Sequence, residues 1–121
     1  MHEIGITRNM FNLVLEEAGK AGAQKVTRID LVIGEMTGAI DDSVKFYFDL
    51  LSKGTIVEGA EVAIRMVPPM VRCRNCHMPS KLEKRTYWSC PHCEENGMEI
   101  ISGRELIVKS IEVEAGGDKD T

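Results

Sequence analysis

Four cysteines, Cys73, Cys76, Cys90 and Cys93, fall within 21 consecutive positions of a 121-residue chain that has no other cysteine. They form two C-x-x-C turns, Cys73-Arg-Asn-Cys76 and Cys90-Pro-His-Cys93, separated by thirteen residues. Each turn sets two sulfurs one edge of a coordination tetrahedron apart, and two turns on facing hairpins complete the four-thiolate set that Zn(II) accepts. Four thiolates leave the ion no open position for water, so its predicted role is structural. It replaces the hydrophobic core that about 30 residues cannot build alone. A thioredoxin-like redox dithiol needs one such turn at the start of a helix in a βαβ setting, which two copies flanked by Arg, Lys and Pro do not offer. His77 and His92 stand beside the cysteines. They are read as partly exposed neighbours of the metal turns, with alternative ligation as the competing reading.

The second unusual feature is the start, Met1-His2-Glu3. A histidine at position two has its ring within chelating reach of the terminal amine and the intervening main-chain nitrogen, and the nitrogen of Glu3 can complete a plane. Tetragonal or square-planar nitrogen donors favour Cu(II) or Ni(II) over zinc. Other chemistry is missing. The chain has no G-x-x-x-x-G-K-[ST] phosphate loop, so unaided nucleotide hydrolysis is not expected. With all cysteines given to metal, no nucleophile and base set is suggested. The acidic pairs Glu16-Glu17, Asp41-Asp42 and Glu94-Glu95 read as solvated positions. A binding protein is expected, not an enzyme.

Composition narrows the setting. Hydrophobic residues at 43% and charged residues at 28% are those of a globular chain with a packed core, one domain or two small ones. A formal charge of -4 argues against binding nucleic acid through the overall field. Residues 71–104 hold six basic and four acidic side chains, and four thiolates on a divalent ion offset that excess. The loaded segment is therefore near neutral, less basic than a nucleic-acid ribbon. Tyr87 and Trp88 are read as an apolar face holding this segment together. No apolar run approaches the roughly 18 residues that span a bilayer, and the start has no signal-peptide pattern. No membrane association is expected, and the location expected is cytoplasmic, where clustered cysteines bind metal more readily than they pair.

These residues need elements to position them. From Thr7 to about Ala21, Met10, Phe11, Val14, Leu15 and Ala18 recur at helical spacing, with Thr7 as the expected cap and Gly22 as the stop. Ile29, Leu31 and Ile33 alternate with Arg28 and Asp30 as in a strand, Val32 suggests some cover on the other face, and Gly34 closes the segment. A second helix is expected from a cap at Asp41 or Asp42 to about Ser52, with Val44, Tyr47, Phe48 and Leu51 on one face. Glu61–Val67 reads as a second strand ended by Pro68-Pro69, and Arg104–Glu114 as a third, longer one. The fold class predicted is α+β, two helices on a small three-stranded sheet with an inserted zinc-ribbon-like domain. The strands flanking the insert are expected to pair. The main domain would then be discontinuous, residues 1–68 plus 104–114, around a zinc-binding domain at 69–103, followed by a mobile tail at 115–121.

The segments MHEIGITRNMFNLVLEEA, GAQKVTRIDLVIGEM and FYFDLLSKGTIVEGAEVAI, the paired C-x-x-C turns and the closing GRELIVKSIEVE resemble the HypA/HybF family of hydrogenase maturation factors over nearly all of residues 1–114. The resemblance implies a nickel metallochaperone with a nickel domain of two helices and a three-stranded sheet, plus an inserted zinc domain. It places Ni(II), as transferred cargo, on Met1, His2 and Glu3 through the amine, main-chain nitrogens and the His2 ring, and structural Zn(II) on the four cysteines. The partners it implies are the GTPase HypB and the large subunit of a [NiFe]-hydrogenase, which suits a chain without a phosphate loop. The rival readings are a zinc-ribbon nucleic-acid or transcription-associated module and a zinc-stabilised adaptor with no transferable metal.

Overall fold

The computed structural model describes residues 2–83 and 89–115, of residues 2 and 3 the main chain only. Tyr87, Trp88 and the tail at 116–121 lie outside the described residues. Helix α1 (His2–Lys20) begins well upstream of the expected cap. Thr7 is inside the helix and buried, not at its start. The reason is packing: Thr7, Met10, Phe11, Val14 and Ala18 form one buried stripe, and Ile6 packs against the same core. Tertiary burial therefore carries the helix through Gly5, which propensity alone would not favour. The helix ends as expected, with Gly22 at φ 64 and its amide donating to the Gly19 carbonyl at 3.1 Å.

Strand β1 (Ala23–Gly34) turns Ile29, Leu31 and Ile33 into the core. After a 3-10 turn at Glu35–Thr37 comes helix α2 (Asp41–Ser52), which buries Val44 and Phe48. Its cap is Ile40, without a side-chain bond, so neither Asp41 nor Asp42 caps it. Both aspartates sit in the first turn, where the positive end of the helix favours them. The Phe48 ring meets Phe11 edge-on, centroids 5.5 Å apart, joining the two helices above the sheet.

Strand β2 (Glu61–Val67) runs parallel to β1, the crossover being made through α2. Three strands of the insert follow: β3 (Met70–Cys73), β4 (Pro79–Lys81) and β5 (Met98–Ser102), antiparallel in the order β4-β3-β5. Strand β6 (Leu106–Ala115) returns antiparallel to β1, giving the order β2-β1-β6. The flanking strands β2 and β6 therefore do not pair with each other. β1 lies between them, paired along both edges, and on the face opposite Leu31 and Ile33 its Val32 is only 5% exposed. On that outer face Arg28 forks to Asp30 on its own strand (3.0 Å) and to Glu61 on β2 (3.2 Å), while the Ser110 hydroxyl on β6 donates to Asp30 (3.1 Å). The Arg28 hydrogen bond holds the Asp30 carboxyl below its ordinary range.

The insert joins the sheet through two short crossings that touch. The Ser102 hydroxyl donates to the Pro68 carbonyl (2.8 Å), Met36 N–H to the Gly103 carbonyl (2.7 Å) and Gly34 N–H to the Glu105 carbonyl (2.7 Å). A Cβ on Gly34 would overlap the Gly103 carbonyl and the Arg104 amide nitrogen, both main chain that cannot swing aside. Gly34→Ala is therefore expected to destabilise the protein by roughly 3 kcal/mol, as overpacking does. Chemical denaturation should read this as a lower midpoint, and an unchanged midpoint would show the crossing to be loose.

Candidate metal centre

Two sequence-local loops build the cysteine site, and they are near copies of each other. Cys73 ends β3, and from it the chain turns so that His77 N–H donates to the Cys73 carbonyl (2.9 Å) and Cys73 N–H to the Met78 carbonyl (3.2 Å). In the second loop Glu94 N–H donates to the Cys90 carbonyl (2.8 Å) and Cys90 N–H to the Glu95 carbonyl (2.9 Å). The residue after each outer cysteine takes a left-handed conformation, His77 at φ 67 and Glu94 at φ 65. Such backbone costs about 1–2 kcal/mol for a residue with a Cβ, and in each loop the N–H that follows it bonds the outer sulfur, Met78 for Cys76 and Glu95 for Cys93. The inner sulfurs are met from within the turns. Asn75 N–H and Cys76 N–H point at Cys73 Sγ (3.4 and 3.5 Å), and His92 N–H at Cys90 Sγ (3.3 Å).

The four sulfurs all lie within 4.8 Å of one another, with Cys73 to Cys93 at 3.5 Å and Cys76 to Cys90 at 3.6 Å. Zn–S bonds of about 2.3 Å require tetrahedron edges of about 3.8 Å, so the donor set fits zinc in chemistry and in spacing. Cys73 and Cys90 are buried, whereas Cys76 and Cys93 are half-buried. With protons as their only counter-charges the sulfurs are unequal. The Asn75 amide and the Glu95 main chain hold Cys93 to about 7. Cys76 keeps a main-chain bond from Met78 that lowers it, yet desolvation and the neighbouring thiols push it up to about 12. A bound divalent ion ionises all four.

Among the described residues the cluster contains only these cysteines. His77 and His92 are exposed and stand outside it, in agreement with their reading as neighbours. Asn75 was not among the candidate residues, although its side chain reaches across to Cys93 Sγ at 3.6 Å. Its only sequence signal is its place between two ligands. Met1 and the side chains of His2 and Glu3 lie outside the described residues, and the main chain of His2 and Glu3 forms the first turn of α1. No described helix is long and apolar enough to cross a membrane.

Fold and site together define a small α+β metal-binding protein with a ribbon-like insert of four cysteines. A family model described as "Hydrogenase/urease nickel incorporation, metallochaperone, hypA" matches residues 1–113. Hydrogenase maturation factor HypA of Caldanaerobacter subterraneus subsp. tengcongensis is 40% identical over 115 residues, 94% of this chain and all of that one. The factor of the same name from a Nostoc species is 43% identical over 114 residues, 94% of this chain and 96% of its own. The solution structure of the Ni metallochaperone HypA from Helicobacter pylori superposes with a TM-score of 0.69 at 25% identity, covering 96% of this chain and 100% of that one. The chain belongs to the HypA family. That family is one of metallochaperones, not of enzymes.

Proposed function

We propose that this protein is a nickel metallochaperone of hydrogenase maturation. It binds Ni(II) at Met1, His2 and Glu3, keeps structural Zn(II) on Cys73, Cys76, Cys90 and Cys93, and passes nickel, together with the GTPase HypB, to the large subunit of [NiFe]-hydrogenase in the cytoplasm. The observation that carries this reading is the family match over residues 1–113, which takes in both the amino-terminal segment and the cysteines. The start of α1 supports it. The first N–H groups of a helix have no intrahelical acceptor, so the main-chain nitrogens of His2 and Glu3 can turn to a metal without breaking the helical ladder. The positive end of the helix opposes a cation there, and loss of protons from the ligating nitrogens offsets that opposition. The division of labour follows the chain: residues 1–68 with 104–114 carry nickel, and residues 69–103 carry zinc.

The test is transfer. Zinc-loaded protein with Met1 as its first residue is given one equivalent of nickel, then HypB with GTP and metal-free hydrogenase large subunit, and the separated proteins are analysed for nickel. Nickel is expected to move to the large subunit in a manner that needs both this chain and HypB. Equal loading of the large subunit from free nickel without this chain would sink the carrier role.

A further inference from the structure

The two metal loops obey a local two-fold relation that one side chain breaks. In each loop the inner cysteine is buried and accepts an N–H from the residue two positions on, and the outer cysteine is half-buried. Each outer sulfur also accepts a main-chain N–H from two residues further along, Met78 for Cys76 and Glu95 for Cys93. The positions that correspond between the inner and outer cysteines are Asn75 and His92. Asn75 Nδ2 donates across the site to Cys93 Sγ at 3.6 Å. Among the described residues no side chain makes the matching bond to Cys76.

We infer that Asn75 makes the two outer thiolates unequal, so that Cys76 is the sulfur at which a peroxide attacks the metal-loaded site. The inference rests on the four-thiolate zinc reading. With the ion bound all four sulfurs are thiolates, so proton affinity no longer separates them, and access and hydrogen bonding do. The inner pair is shut from solvent. Of the outer pair, the sulfur with the extra donor has its lone-pair density tied up and is the weaker nucleophile. The Cys76 thiolate attacks one oxygen of hydrogen peroxide, the O–O bond breaks, hydroxide leaves and the sulfur becomes a sulfenic acid. The Cys90 thiolate, 3.6 Å away, then attacks that sulfur. The S–O bond breaks, a second hydroxide leaves and a Cys76–Cys90 disulfide remains. Two thiolates have lost two electrons, peroxide has gained them, and two of the four metal donors are gone. Asn75 is thus a positioning residue that protects Cys93, and Cys76 is a modification site through which an oxidant opens the insert.

The test uses the whole chain, with zinc per chain measured first. Substoichiometric hydrogen peroxide is added, zinc release is followed with a chromogenic chelator, free thiols are trapped by alkylation and the disulfides are mapped by mass spectrometry. Cys76–Cys90 should exceed Cys73–Cys93 by roughly threefold to tenfold, the range expected for one hydrogen bond of ordinary net strength to a weak acceptor such as sulfur. Asn75→Ala and the similarly sized Asn75→Leu, neither of which offers a donor or adds charge, should bring that ratio to about one, as loss of that single bond requires. His92→Ala, at the corresponding position, should leave the wild-type ratio. Equal disulfides in the wild type, an excess of Cys73–Cys93, or a ratio unmoved in both Asn75 variants overturns the inference. If the purified chain takes up no zinc, the zinc reading and this inference fail together, whereas a zinc-loaded chain that oxidises evenly overturns only the latter.

Discussion

Cys90→Ala is expected to unfold the insert and strip its metal while α1, α2 and the β2-β1-β6 sheet keep their far-UV signal. Cys90 is 1% exposed, and its carbonyl, amide and sulfur each hold the second loop together. Removing it deletes a ligand, and with it the folding free energy that metal supplies, on the order of 10 kcal/mol in isolated zinc peptides. The sheet does not depend on that metal, because its core of Phe11, Ile29, Leu31, Val44 and Phe48 lies on the other elements. Limited proteolysis should cut the variant within 69–103 and spare the rest, and metal analysis should find its zinc lost. An insert that stays protease-resistant without metal would refute the structural role. Zinc uptake should also release protons, since Cys76 is pushed up to about 12 and carries its proton at neutral pH. Affinity should therefore rise with pH. Calorimetry in two buffers of different ionisation enthalpy reads the protons directly.

Nickel binding should respond as sharply to changes at the other end of the chain. One extra residue before Met1 moves the amine out of chelating position, and His2→Ala removes the ring. Each is expected to abolish tight nickel binding while leaving zinc content and helical signal intact, because among the described residues the α1 side chains that pack the core begin at Ile6. Unperturbed amine and imidazole groups titrate near about 7.7–8.0 and 6.5, so nickel must displace protons and its affinity should fall as pH drops from about 8 to 6. His77→Ala and His92→Ala are the controls, both side chains being exposed and outside the sulfur cluster. Titrations of zinc-loaded native, extended and His2→Ala proteins decide the matter. The same nickel affinity in all three would remove the amino-terminal site and the carrier mechanism built on it.

Features written in local spacing could be read from the residues alone. The C-x-x-C pairs specify a metal loop without outside help, and the structure brings all four sulfurs together. The period-two run of β1, the helical stripe of α2, the Pro68-Pro69 stop and the Gly22 turn likewise depend on near neighbours, and each lies where the residues put it. Tertiary structure decided whatever depended on distant residues. Thr7 has the chemistry of a cap, but the core it faces makes it an interior residue of α1. The two strands bracketing the insert are adjacent in the chain apart from that insert, yet β1 separates them, its main chain pairing with β2 along one edge and β6 along the other. The closeness of Gly34 to Gly103 and the reach of Asn75 to Cys93 are of the same kind. Spacing along a chain fixes which groups a single turn can gather, and only the packing of the whole chain fixes which turns meet.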